Sequence, residues 1–193
     1  MAKIWVTFLF FLSLTFFAST NIFSCDFEPL LNNDDKFCRG DLHVIYPNMG
    51  DVSCVFIPNC FKYPQSLSKV WGAPMIRSAD AKPENLYTLI MVDPDPVLRF
   101  WRHWLVTHIP GEKLQEGGPV TGNVVSQYHR PNPPIHTGYH RYLFILYEQH
   151  PQVHPTLLQN ERPLASWNIS TFVRRSKIVL VATTLFMVRN PHL

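Results

Sequence analysis

The stretch Y-T-L-I-M-V-D-P-D-P-V-L-R-F-W-R-H-W-L-V-T-H-I-P-G occupies residues 87–111 and decides the fold that this sequence predicts. Together with Leu86 it contains two apolar runs, residues 86–92 and 101–109, which are typical of strands. The first run is almost wholly apolar, which predicts a strand buried on both faces. Asp93 and Asp95 follow it and alternate with prolines, so two carboxylates stand at the end of a buried strand.

A second stretch, P-P-I-H-T-G-Y-H-R-Y-L-F-I-L-Y-E-Q at residues 133–149, has a similar arrangement. His140, Arg141 and Tyr142 stand at the start of an apolar run, residues 142–147, which predicts a third buried strand. Polar groups from both stretches are therefore expected at strand ends, where they can converge on one site.

The rest of the chain adds mostly short strands. Ser166 is expected to cap a helix over residues 164–175, where apolar residues fall near helical spacing. The 17 prolines disfavour long helices elsewhere. Further strands are predicted at residues 42–46, 52–57, 74–76, 124–128 and 178–188. The sequence therefore predicts a mainly β fold.

The acidic and histidine residues allow two interpretations. Asp93 and Asp95 point to the same side of an extended backbone and can face one cavity, but Asp and Pro are also common in solvated turns. His103 and His140 are each consistent with a buried structural histidine. The combination of these four with the basic and phenolic side chains of the second stretch favours a binding or catalytic site.

Through these two stretches, the sequence over residues 30–172 resembles the phosphatidylethanolamine-binding protein (PEBP) family. The segment R-F-W-R-H-W-L-V-T at residues 99–107, an N-terminal signal-like stretch and four cysteines in the first third of the chain are most similar to the secreted fourth mammalian branch of that family. The resemblance implies a large antiparallel sheet packed on a smaller sheet, with a few peripheral helices. It also implies a small pocket that binds phosphate or phospholipid head groups. The ligand-binding residues implied by the matching motifs are Asp93, Asp95, Trp101, His103, Pro133, Pro134, His140 and Tyr142.

Each of these groups has an expected role. Protonated His103 and His140 can donate to phosphate oxygens, Tyr142 offers a hydroxyl, and Trp101 offers an apolar wall. The aspartates are expected to orient the imidazoles and raise their pKa values, or to meet the ammonium of an ethanolamine head group. Arg141 is expected to brace the loop through a carboxylate, with a direct ligand contact as the alternative.

Two departures from the family pattern bear on this pocket. The loop between Asp95 and Trp101 is shorter than the resemblance implies, and the L-G-x-P turn is absent after Phe172. Both departures predict a more open pocket.

The N-terminus predicts export. Lys3 precedes an apolar stretch, residues 4–18, that is followed by small and polar residues, as in a signal peptide covering residues 1–24. A membrane anchor is the alternative, because the stretch is only slightly short of a span. Cleavage would leave one domain, residues 25–193, with no transmembrane anchor, in the extracellular fluid or the lysosome.

The cysteines agree with export. Cys25, Cys38, Cys54 and Cys60 all follow the expected cleavage site and predict two disulfides, for which three pairings are possible. Their spacing is not that of a common zinc site. Residues 168–170 form a sequon that predicts N-glycosylation of Asn168.

The sequence predicts a non-catalytic protein that binds a phosphate-bearing small molecule or a phospholipid head group and modulates signalling, without a cofactor or metal. The alternative is a protein-interaction module, or an inhibitor of a protease or kinase pathway, with a vestigial pocket. A hydrolase with the aspartates and histidines as metal ligands is disfavoured, because no metal-ligand or nucleophile motif is present. The formal net charge of +3 is too small to imply a nucleic-acid partner.

Overall fold

The computed structural model describes residues 25–30, 32–95 and 100–190. The expected signal peptide, most of the short loop between Asp95 and Trp101, and residues 191–193 lie outside the described residues.

Ten strands and three α-helices form the described part of the chain. The strands are β1 (Glu28–Pro29), β2 (His43–Tyr46), β3 (Gly50–Asp51), β4 (Val55–Phe56), β5 (Met75–Arg77), β6 (Leu86–Asp93), β7 (Trp101–Pro110), β8 (Asn123–Ser126), β9 (Tyr139–Gln149) and β10 (Val179–Arg189). The helices are α1 (Tyr63–Lys69), α2 (Gly111–Glu116) and α3 (Ile169–Ser176). Short 3₁₀ helices cover Asn32–Phe37, Cys60–Lys62 and Gln159–Glu161.

The strands form a seven-stranded sheet in the order β1-β4-β10-β9-β6-β7-β8 and a three-stranded sheet in the order β3-β2-β5. This confirms the predicted mainly β architecture of a large and a small sheet with few helices. The large sheet is mixed, because β4 pairs in parallel with β10 while the other pairings within it are antiparallel.

The central strands β6 and β9 separate two apolar cores, which explains their continuous hydrophobicity. Successive side chains of a strand point to opposite faces. In β6, Leu89 and Met91 pack into a core shared with Tyr46 of the small sheet. Ile90 and the alternate side chains pack on the other face, in a core shared with Phe172 of α3. A strand between two cores has no face left for polar residues.

Two local predictions were wrong. The helix begins at Ile169 rather than near residue 164, and its N-cap is Asn168, whose Oδ1 accepts a hydrogen bond from the Thr171 N–H at 3.0 Å. Residues 52–57 do not form one strand, because a turn with Cys54 at φ 62° separates β3 from β4.

The four cysteines form two pairs, Cys25–Cys60 and Cys38–Cys54, each with its Cα atoms 6.0 Å apart. This distance is within the range of disulfides, so the prediction of two disulfides is confirmed. In the part of the chain that the structure describes, no helix has the length and apolar character needed to cross a membrane.

Candidate ligand pocket

A cavity of about 720 Å³ opens at the end of the large sheet where β6 ends and β7 and β9 begin. Antiparallel pairing places Asp93 opposite Trp101 and Val92 opposite Leu143, so residues distant in sequence meet at this edge. The described residues that line the cavity are Asp93, Asp95, Trp101, His103, His129, Arg130, Asn132, Pro134, Thr137, His140 and Tyr142.

Seven of the eight residues predicted from the sequence as ligand contacts therefore lie together around one cavity. Pro133 lies behind the lining, where it is buried and its carbonyl accepts a hydrogen bond from Asn190 Nδ2 at 2.8 Å. Ligand contact by these residues remains a prediction.

Asp93 and His140 form a buried pair at the base of the cavity. The Asp93 Oδ2 to His140 Nδ1 distance is 2.7 Å, and each side chain is 5% exposed. The Thr137 hydroxyl donates to the Pro134 carbonyl at 2.8 Å and lies 2.8 Å from His140 Nε2, so its oxygen accepts from that nitrogen. Burial raises the pKa of Asp93, while the His140 hydrogen bond opposes this rise. Both His140 nitrogens are thus engaged within the protein.

Asp95 is held by Arg141. Arg141 Nη2 donates to Asp95 Oδ1 at 2.6 Å, and Arg141 Nε lies 3.1 Å from both carboxylate oxygens. The backbone N–H of Arg141 also donates to Asp95 Oδ2 at 2.7 Å. The expected brace between Arg141 and a carboxylate is confirmed, and it neutralises the charge of Asp95.

His103 is a neutral hydrogen-bond acceptor toward the cavity. Its Nδ1 lies 2.8 Å from the carbonyl oxygen of His129, so Nδ1 carries the proton and Nε2 carries a lone pair. Burial lowers the pKa of His103 to about 4, and the hydrogen bond to His129 only partly opposes this. The expected protonated, donating His103 does not agree with this burial, which leaves the imidazole neutral with the lone pair of Nε2 unused by Nδ1's partner. A role of His103 in ligand binding remains a prediction.

Arg130 and Tyr142 supply hydrogen-bond donors to the cavity, which His103 and His140 do not. Arg130 is exposed and its Nε donates to the Trp71 carbonyl at 2.7 Å; among the described residues no carboxylate forms an ion pair with it. The Tyr142 oxygen accepts from the Asn132 N–H at 3.0 Å. Burial raises the pKa of Tyr142 well above its ordinary value, so its hydroxyl keeps a proton to donate.

Sequence reasoning missed His129, Arg130, Asn132 and Thr137 as lining residues. The first three precede the Pro133-Pro134 pair directly, in a segment for which the sequence predicts neither a strand nor a helix. Their position next to a stretch already assigned to the pocket was the available signal.

The described residues include no group of three or more His, Cys, Asp or Glu side chains arranged to hold a metal ion. The two aspartates and His140 are instead paired with one another or with Arg141. The arrangement is suited to binding, because it offers a cation, a phenolic donor and an imidazole acceptor around an apolar wall.

Fold and cavity together define a mainly β protein with a pocket at the ends of central strands, lined by ionisable and aromatic side chains. The family model for phosphatidylethanolamine-binding protein matches residues 60–184, which is more than half of the chain. The chain belongs to the PEBP family.

Individual relatives are more distant. The chain is 40% identical over 76 residues to "Putative odorant-binding protein A5" of Drosophila melanogaster, a match that covers 36% of this chain and about a third, 34%, of that protein. The phosphatidylethanolamine-binding protein from Plasmodium vivax has a similar fold, with a TM-score of 0.59 at 19% identity over 78% of this chain and 85% of that one. The carboxypeptidase Y inhibitor, solved with its cognate proteinase, gives a TM-score of 0.59 at 19% identity over 78% and 83% of the two chains.

Proposed function

We propose that this protein is a secreted, non-catalytic binding protein whose pocket holds a phosphate-bearing small molecule or a phospholipid head group. The observation that carries the proposal is the charge arrangement of the cavity. Both aspartates are held by basic partners, whereas Arg130 has no carboxylate partner among the described residues. The cavity therefore presents a cation to an anionic ligand, and Arg130 recognises phosphate with hydrogen bonds as well as charge.

The rest of the lining suits a ligand with a donor beside its anionic group. Tyr142 can donate to a phosphate oxygen, while His103 Nε2 accepts from a hydroxyl or an ammonium. The volume of about 720 Å³ is that of a small-molecule site and exceeds what a phosphate ion alone fills. A phosphorylated alcohol or amine matches both the polar groups and the size.

The same proposal includes export, glycosylation and membership of the secreted fourth mammalian branch. Two disulfides suit an oxidising compartment such as the extracellular fluid or the lysosome. The Asn168 side chain is exposed, so its Nδ2 is open to a glycan in the folded protein.

Inhibition of a protease or of a kinase pathway is the second candidate function. The observation that favours it is apolar exposure at the pocket mouth: Trp101 is 37% exposed and Ile135, next in the chain to Pro134, is 55% exposed. Exposed aromatic and aliphatic side chains beside a pocket are suited to contact with a protein.

Calorimetric titration with O-phosphorylethanolamine tests the leading proposal, with Arg130→Gln as the variant and His136→Asn as the control. His136 is exposed on the adjacent loop and does not line the cavity. A hydrogen bond to a charged group contributes about 1.5–3 kcal/mol, so Arg130→Gln is expected to weaken binding by roughly 10- to 150-fold. The control should bind like the wild type. A folded wild type that gives no saturable heat with this ligand would refute the pocket's role and favour a protein partner.

A further inference from the structure

A second polar cluster lies at the opposite end of β7 from the pocket. His108 Nε2 and His154 Nδ1 are 2.8 Å apart and face each other. His108 lies five positions after His103 on the same strand, which corresponds to about 17 Å. The two clusters are therefore separate sites.

One buried side chain positions both imidazoles. Gln149 is 1% exposed, and its Oε1 accepts from the His108 N–H at 3.1 Å. Its Nε2 donates to the Val153 carbonyl at 2.7 Å, which fixes the segment that carries His154. Thr88 completes the arrangement, because its hydroxyl donates to Gln149 Oε1 at 3.1 Å.

The backbone at His108 is held in a costly conformation. Its φ of 56° lies in the left-handed region, which L residues with a side chain rarely adopt, and it interrupts an otherwise extended strand. Such conformations cost of the order of 1–3 kcal/mol and cluster at functional sites. The residue in this conformation is the one whose imidazole lies beside His154.

The other nitrogen of His108 also has partners. The Thr107 hydroxyl lies 2.9 Å from His108 Nδ1, and Asn123 Nδ2 lies 3.4 Å from it. Histidines that bind metals almost always donate the N–H of their second ring nitrogen to an acceptor, which fixes the tautomer and the orientation of the ring. The Thr107 hydroxyl oxygen is close enough to be that acceptor.

We propose that His108 Nε2 and His154 Nδ1 bind a late first-row divalent metal ion, Zn²⁺ or Cu²⁺, with water in the remaining positions. Imidazole nitrogen is a preferred ligand of both ions. With metal–nitrogen bonds of about 2.0–2.1 Å, two nitrogens at a tetrahedral centre lie about 3.3 Å apart. The pair must open by about half an ångström from 2.8 Å, and the exposed His154 can turn to allow this.

The metal replaces the proton that joins the two nitrogens. His108 binds the ion as its other neutral tautomer: the proton moves from Nε2 to Nδ1 by exchange with solvent, with no net release, and the Thr107 hydroxyl turns to accept from Nδ1–H while the Asn123 amide N–H turns away from it. The described residues offer no third His, Cys, Asp or Glu in a metal-holding group, so positions remain open to water or to a donor from another molecule.

Calorimetric titration of the full metal-free protein with Zn²⁺ alone tests this site. One site is expected, and both His154→Ala and His108→Asn should abolish it; Asn tolerates the left-handed backbone at residue 108. Thr107→Val keeps both ligands but removes the hydroxyl, and it is expected to weaken binding about 10- to 100-fold. The matched control is His136→Asn, since His136 is also exposed and left-handed, with a φ of 64°, and lies outside the pair.

Electron paramagnetic resonance with one equivalent of Cu²⁺ gives an independent readout. The wild type should show two coordinated imidazole nitrogens, and each single-histidine variant should show fewer. Because His154 is exposed, His154→Ala is expected to fold normally, which circular dichroism checks. Two results would overturn the proposal: no saturable binding of either ion, which would mean that the pair shares only a proton, or equal affinity in wild type and His154→Ala.

Discussion

Burial of neutral His103 makes the folded protein less stable in acid. A substitution at this residue isolates its contribution to the pH dependence of the free energy of unfolding. The folded pKa is about 4, against an ordinary value of 6.5, so between these values the unfolded chain binds a proton that the folded chain does not. Stability from this group is fully present above pH 6.5 and is lost as the pH falls toward 4. Integrated from pH 7.5 to pH 4.5, the loss is roughly 2–3 kcal/mol.

The perturbation is His103→Asn, whose amide can still donate to the His129 carbonyl but does not titrate. The variant is expected to be less stable at pH 7.5, because a smaller side chain leaves a cavity. Between pH 7.5 and pH 4.5, however, its free energy of unfolding should fall by roughly 2–3 kcal/mol less than that of the wild type. Urea unfolding followed by tryptophan fluorescence at both pH values measures the four free energies. Equal pH dependence of stability in the two proteins would refute a buried neutral His103. A larger loss of stability in acid for the variant would mean that His103 acts in the opposite direction.

Three further changes test other parts of the structure. Arg141→Gln removes the bidentate partner of Asp95 and is expected to cost about 2 kcal/mol in urea unfolding, and an unchanged midpoint would contradict the brace. Replacing Cys25 and Cys60 together by Ser opens a loop of 35 residues, so the free energy of unfolding should fall by about 4 kcal/mol, and a loss below 1 kcal/mol would show that this pair is not bonded in solution. Asn168→Gln should remove one glycan from the protein secreted by cultured eukaryotic cells, as seen by mass spectrometry, and an unchanged mass would mean that the site is not used.

The central strands were predictable because their local hydrophobic pattern agrees with their burial in the tertiary structure. Strands β6, β7 and β9 are long and apolar because the sheet lies between two cores. Their continuous apolar runs therefore predict them. The antiparallel pairing of these strands then brings Asp93, His103 and His140 to one edge, as the positions of these residues at or near strand ends suggested.

The parts that were missed depend on contacts between distant segments. Helices α1 and α2 have only 7 and 6 residues, too few for a helical pattern to stand out. Arg130 belongs to a loop, and its guanidinium is placed by the Trp71 carbonyl, 59 residues earlier in the chain. The charge of His103 follows from its burial and from the His129 carbonyl, neither of which is visible in the local sequence.

The most direct test of the central claim is a crystal structure of the protein with O-phosphorylethanolamine. The phosphate is expected within hydrogen-bonding distance of Arg130 and the Tyr142 hydroxyl, with a ligand N–H or O–H directed at His103 Nε2 and the Asp93–His140 pair intact. A phosphate bound outside this cavity, or one held by His140 after the Asp93 contact has broken, would contradict the account.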